Sequence, residues 1–346
     1  MLPPRTEKVL KSIVGQYIVR ATPIPSQSLI NDHELKVSPA TIRNEMAHLE
    51  QDGYITRCHP SAGSIPSDKG YRYYVESLSD IELPLAEQRL IRHLFHQVEK
   101  ELDEWLGLAA KLVAQLVQNM AIVTMPKPAK CQFKHLELIA LRDSLALIVL
   151  VLRGAKVKQQ LITFDQIITQ PKLTAIANRL NATYPGLTRL QILTKSIRLS
   201  SAEQQLTDCL VKMMQAEDEL EHEEPYLDGL HFILNQPEFA HNQRMLPLME
   251  LVDHRNLLRI IAPQGLVSPG VRVVIGRENK AELIQDYSVV ISQYGLPEEA
   301  VGTIGVIGPT RMPYARAISS VSYLSSVLTE LVAELFGEEI TIHNTN

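Results

Sequence analysis

Ser38-Pro39-Ala40-Thr41-Ile42-Arg43-Asn44-Glu45-Met46-Ala47-His48-Leu49-Glu50 is the stretch on which the reading of this chain turns. The Ser38 side chain can accept from the free amides of a first helical turn, and Pro39 suits the first helical position, where no backbone donor is needed. Those two residues fix the register of a helix. In that register Ile42, Met46 and Leu49 share one face, Ala40, Asn44, Ala47 and Gln51 lie opposite, and Thr41 and Arg43 flank the N-terminal end. An apolar back and a small, polar front suit the DNA major groove. Arg can bond two acceptors of guanine, Asn can bond adenine, and small residues allow close approach. The helix N-terminus also favours a phosphate.

Working outward, residues 5 to 20 read as a first helix, because Val9, Leu10, Ile13, Val14, Tyr17 and Ile18 recur on one face. Thr22-Pro23-Ile24-Pro25 breaks it, and Ser26 caps a short second helix holding Leu29 and Ile30. Beyond the third helix, Gly53 is a stop signal, Tyr54 to Arg57 reads as a strand, and His59 to Pro66 is rich in turn residues. Strand, loop and return form a wing, so residues 1–80 are expected to fold as a winged helix-turn-helix. Its candidate DNA contacts are Ser38, Ala40, Thr41, Arg43, Asn44 and Ala47 on the reader helix, with Arg57, His59, Ser61, Lys69 and Arg72 as phosphate contacts of the wing. Residues 1–75 hold nine Lys or Arg against seven Asp or Glu, a balance of only +2, so charge alone does not separate a DNA-binding unit from a bland three-helix module.

From Leu85 to Met120 apolar residues recur alternately four and three apart, as in long helical packing, and residues 81–125 are expected to be a helical linker. Three strand-like stretches follow, His135 to Leu141, Leu145 to Leu152 and Val157 to Phe164, suggesting an antiparallel meander. Helical patterns return around Lys172 to Leu180 and Ala202 to Leu220. The last third has strand signals at Gly270 to Ile275, Tyr287 to Gln293 and Gly302 to Ile307, then a helix from about Pro313 to Phe336. The fold class is α+β and multidomain.

Apolar residues at 45% and charged residues at 21% are ordinary for a folded chain, and 346 residues exceed what one core usually organises. The net charge of -5 argues against a protein that coats nucleic acid by bulk positive charge. Three separated cysteines, Cys58, Cys131 and Cys209, build neither a disulfide framework nor a thiolate metal site. His222-Glu223-Glu224 and His231 lack the spacing of a helical zinc pair. Gly302, Gly305 and Gly308 lack the Lys-Ser/Thr ending of a phosphate loop, so they are read as tight strand-to-helix turns. No nucleophile-elbow pattern occurs, so no enzyme, cofactor or metal is expected. No run of about 18 apolar residues appears, and Met1 to Lys11 is charged where a signal peptide is apolar, so a cytoplasmic protein without a membrane anchor is expected.

The run from Ser38 to Glu50, continued by Gly53-Tyr54, Pro60-Ser61-Ala62-Gly63 and Ile65 to Arg72, resembles the HrcA family of heat-inducible transcription repressors. Val273 to Gly276, Glu278-Asn279, Gly302 to Met312 and Tyr314-Ala315-Arg316 look like the same family's C-terminal signature. The resemblance implies a winged helix followed by a GAF-like α/β domain that carries an inserted dimerising subdomain. On this chain those parts would be 126–220 and 266–346 for the GAF-like domain and 221–265 for the insertion. It further implies a homodimer on an inverted-repeat operator (CIRCE), each subunit offering one helix to one half-site, with repression sustained by the GroEL chaperonin. Two departures stand out: Ser64 where the family usually has a basic residue, and Pro25-Ser26-Gln27 in place of a Val-Gly-Ser-like turn. A lost wing cation would make the salt dependence of DNA binding shallower. The alternative is a winged-helix regulator whose GAF-like part senses a small molecule through a polar-lined pocket.

Overall fold

The computed structural model describes residues 2–30, 38–57, 63–79, 81–98, 101–126, 131–153, 157–219, 224–239, 270–296 and 300–336. Three helices come first: α1 (Pro4–Arg20), α2 (Ser26–Ile30) and α3 (Pro39–Gln51). Val9, Leu10, Ile13 and Val14 of α1 bury against Leu29 of α2 and Ile42, Met46 and Leu49 of α3, as the apolar spacing demands. A two-stranded antiparallel ribbon follows, β1 (Ile55–Arg57) and β2 (Ser64–Pro66). Next comes α4 (Asp68–Glu76), whose N-cap Ser67 accepts from the Gly70 amide. Lys69 and Arg72, expected in the wing, therefore lie on a helix after it, because Ser67-Asp68 is a helix start signal of the same kind as Ser38.

The stripe from Leu85 to Met120 is two helices and the start of a strand: α5 (Leu85–Gln97), α6 (Leu102–Val117) and β3 (Met120–Val123). Nor is it a linker. Trp105, Leu106, Ala109, Ala110, Val113, Ala114 and Val117 are buried over about half the circumference of α6, too wide an apolar surface for a solvated connector. Here α6 packs on the closing helix α11 (Tyr314–Phe336), and both lie on one face of a sheet ordered β7-β3-β10-β9-β8. The sheet strands are β3, β7 (Tyr226–Asp228), β8 (Arg272–Ile275), β9 (Tyr287–Leu296) and β10 (Ala300–Pro309). Ala121, Val123, Val290, Ile304 and Val306 point to the helices. Ile122, Val289, Ile291 and Ile307 point the other way, onto Ile233 of α10 (Leu230–Leu234) and Phe239. Gly302, Gly305 and Gly308 lie inside β10, not in a turn, where an added Cβ would strike Tyr294, the Val290 carbonyl and Asn119.

Contacts divide the chain into two compact units, residues 1–125 with 224–294 and 302–346, and residues 126–223 with 295–301. This corrects the expected grouping of 126–220 with 266–346. The pieces that share a sheet are 120–123, 226–228 and 272–309, so 126–223 is the stretch looped out between β3 and β7. Most of the segment expected to be inserted, 221–265, lies outside the described residues. The second unit has its own antiparallel sheet, β4 (Phe133–Arg142), β5 (Leu145–Leu152) and β6 (Val157–Thr163), as the alternating pattern implied. Phe133, Leu136, Leu138, Ile148 and Leu150 face Leu173, Ile176 and Leu180 of α7 (Gln170–Thr183) and Leu206, Leu210 and Met214 of α9 (Ser201–Glu219). The short α8 (Arg189–Thr194) adds Ile192.

Candidate nucleic-acid interface

The Ser38 side chain accepts from the Thr41 amide at 3.2 Å, with φ -68° and ψ 153° at the cap, so α3 begins where its first two residues dictate. Gly53 takes φ +76° beyond the other end, a left-handed conformation that costs glycine little. Between these ends Ile42, Met46 and Leu49 are buried, while Ser38, Ala40, Arg43, Asn44, Ala47, His48 and Gln51 are exposed and Thr41 is half-buried. Glu45 turns inward, accepting from the Thr6 hydroxyl of α1 at 2.7 Å. The result is a rigidly backed helix with a free outer face. Arg43 makes no ion pair among the described residues.

The remaining basic candidates are engaged within the chain. Arg57 pairs with Glu50 at 3.2 Å, and Lys69 donates to the Asp52 carbonyl at 2.8 Å while its ammonium lies 4.2 Å from the centre of the Tyr54 ring. The Arg72 guanidinium donates to both Glu278 oxygens, through Nε at 2.8 Å and through Nη2, which also reaches the Val273 carbonyl at 2.8 Å. Burial would raise the Glu278 carboxyl, but the bonds from Arg72 and from the Ile275 amide outweigh it and hold the group below the usual carboxylate range. His59 and Ser61 lie outside the described residues. Ser64 faces inward: its side chain is fully buried, and its backbone exchanges two 2.8 Å bonds with Ile24. A residue at 64 is thus not aimed at a phosphate here, and the shallower salt dependence expected from Ser64 loses its basis.

Sequence reading missed the contacts that join residues 1–79 to the sheet of their own unit. Asp68 accepts from the Arg277 amide at 3.0 Å, beside Gly276 at φ +51°, where an added Cβ would collide with the Asp68 carboxylate. The Tyr71 ring lies 5.7 Å from that of Tyr314, both buried, and burial pushes both phenols up. Arg311 donates to the Ile18 carbonyl at the end of α1 at 2.6 Å and grips Glu238 through Nε at 2.6 Å and Nη2 at 3.1 Å. The signal in the sequence is that Asp68, Tyr71, Gly276, Arg311 and Tyr314 fall in the two terminal motifs, whereas Ile18, Glu238 and Arg277 do not.

A family model described as the HrcA protein C terminal domain matches residues 103–318, more than half of the chain. The chain belongs to the HrcA family. A protein named heat-inducible transcription repressor HrcA from Dehalococcoides mccartyi is 57% identical over 338 residues, 98% of each chain. An HrcA of the same name from Roseiflexus castenholzii is 43% identical, covering 99% of this chain and 98% of the relative. A crystal structure described as a hypothetical protein is similar in fold, with a TM-score of 0.57 and 24% identity over 96% of this chain and 98% of that one. The HrcA model starts at residue 103, beyond α3, so α3 is covered by the relatives rather than by the model.

Among the described residues no group of three or more metal-type side chains is found, and no helix is long and apolar enough to cross a membrane. Burial drives the Cys131 thiol up to about 12, and its sulfur donates to the Met214 carbonyl, so it is held as a neutral thiol.

Proposed function

We propose that this chain is a heat-inducible repressor of chaperone-gene transcription in the cytoplasm, acting as a homodimer on an inverted-repeat operator. The observation that carries the reading is the outer face of α3, capped at Ser38, backed by α1 and exposed at Ala40, Arg43, Asn44 and Ala47. In this reading residues 1–80 are the winged helix-turn-helix, with α2 and α3 as the paired helices and β1 and β2 as the wing. Arg43 and Asn44 read base edges, and Ser38 and Thr41 at the helix N-terminus hold a phosphate. Arg57 and Lys69 reach the DNA backbone by exchanging a neighbour for a phosphate, with His59 and Ser61 in the same role. Arg72 contributes only if its pairing with Glu278 opens. The GAF-like part is the five-stranded sheet with α6 and α11.

Two-fold symmetry of the operator calls for two copies of α3, and the second unit offers a surface for self-association. On the outward face of its sheet Ile139, Leu147 and Leu161 lie in one cross-strand row, with Ile139 46% and Leu161 56% exposed, and Val149 and Val157 extend the patch. The GroEL chaperonin is the proposed partner that sustains the DNA-binding form, so that unfolded protein, by occupying it, relieves repression.

The test is transcription from a promoter carrying the inverted repeat, in cells with and without this chain, before and after a temperature upshift. Repression at the lower temperature that lifts within minutes of the upshift is expected. Unchanged transcription in both strains would contradict the proposal.

A further inference from the structure

One arginine–carboxylate pair, one arginine–carbonyl bond and one packed aromatic pair join the reader module, residues 2–79, to the rest of the same unit. The two arginine contacts come from opposite directions. Arg72 of α4 reaches Glu278, while Arg311, next to the C-terminal end of β10, is anchored by Glu238 and reaches back to the Ile18 carbonyl of α1. Between them the tilted rings of Tyr71 and Tyr314 pack in a core continuous from Ile13 and Met46 to Val321 and Leu324. Bidentate arginine pairs define an angle as well as a distance, because both partners are planar. A module held at two sides and packed between them cannot rotate freely about one contact. Among the described residues nothing in this arrangement covers α3: its outer face stays exposed while these contacts are closed.

We propose that Glu278 and Glu238 are positioning residues that fix the angle of the reader helix to the body, and so set the half-site separation the repressor accepts. The inference rests on the dimeric operator-binding reading above. Two reader helices on rigid arms match one spacing between half-sites, whereas two on loose arms tolerate several.

The test is fluorescence anisotropy of the full-length protein on duplexes in which the spacer of the inverted repeat is lengthened or shortened by one to five base pairs, with a single half-site as control. Wild type should discriminate the best spacer from one shifted by half a helical turn by at least about tenfold, and E238Q/E278Q by less than about threefold, each affinity being divided by the same protein's affinity for the single half-site. Glu278→Gln alone, at a partly exposed position, guards against a folding failure and should give an intermediate profile, with Trp105 fluorescence confirming the fold. A spacer profile in both variants as sharp as in wild type would overturn the proposal. Wild type that prefers no repeat over scrambled DNA would fail the operator reading itself, and this inference with it.

Discussion

Arg43 and Arg72 carry the same group in opposite surroundings. Arg43 stands exposed on α3 with no ion pair among the described residues, while Arg72 is spent on Glu278 and the Val273 carbonyl. Arg43→Ala should therefore weaken binding to the inverted repeat by about 1–3 kcal/mol, with little change on scrambled DNA and none in melting temperature. Equal losses on both duplexes would move Arg43 from base reading to phosphate contact. Glu278 makes a pH prediction. Its carboxyl is held below its ordinary value, so the stability it contributes is present above the usual carboxylate range and is lost as pH falls through the lowered value. The pair is partly exposed, which limits it to about 1 kcal/mol. The melting temperature of Glu278→Gln should lie below that of wild type at pH 7, and the gap should close on acidification. What the sequence exposed at this scale was side-chain type. What it hid was engagement, since the partners of Arg72 and Arg311 stand 206 and 73 residues away.

Elements with local signals were legible. Ser38 and Pro39 fix the start of α3 and an apolar triplet fixes its face, so Ser38→Ala should cost about 1 kcal/mol and Met46→Ala about 2–5 kcal/mol in denaturant unfolding. The Met46→Ala loss should leave the exposed face's chemistry intact, whereas Ser38→Ala also removes a proposed phosphate contact. The stripe from Leu85 to Met120 misled for a physical reason. Apolar spacing continues across the break between α5 and α6 because both helices pack into the same core, and Val98 and Glu101 turn extended without a proline or glycine to mark the place. Met120-Ala121-Ile122-Val123 is buried on both faces, so it has no alternation, and a short all-apolar run does not tell strand from helix. The start of α4 at Ser67-Asp68 was available by the same logic as Ser38, but the wing reading absorbed it.

At the scale of the whole molecule, topology is what the sequence least expresses. Which strands return to one sheet depends on pairings such as Ile122 with Leu227 and Gly305, and no local pattern encodes them. Residues 126–223 consequently form a unit of their own, and the outward face of its β4, β5 and β6 is the surface proposed above for self-association. Leu161→Glu places a charge in that apolar row. It should shift the protein from dimer to monomer in sedimentation at micromolar concentration and weaken operator binding at least about tenfold, since two half-sites are no longer held together. A monomeric wild type would remove the dimer from the account.

The central claim is that α3 reads an inverted repeat, and it is tested most directly by titrating the purified chain against a duplex carrying the repeat and a scrambled duplex, at two salt concentrations, with and without chaperonin. The account predicts tight binding to the repeat that weakens with salt, strengthens with chaperonin and is lost on the scrambled duplex. Equal affinity for the two duplexes under every condition would contradict it.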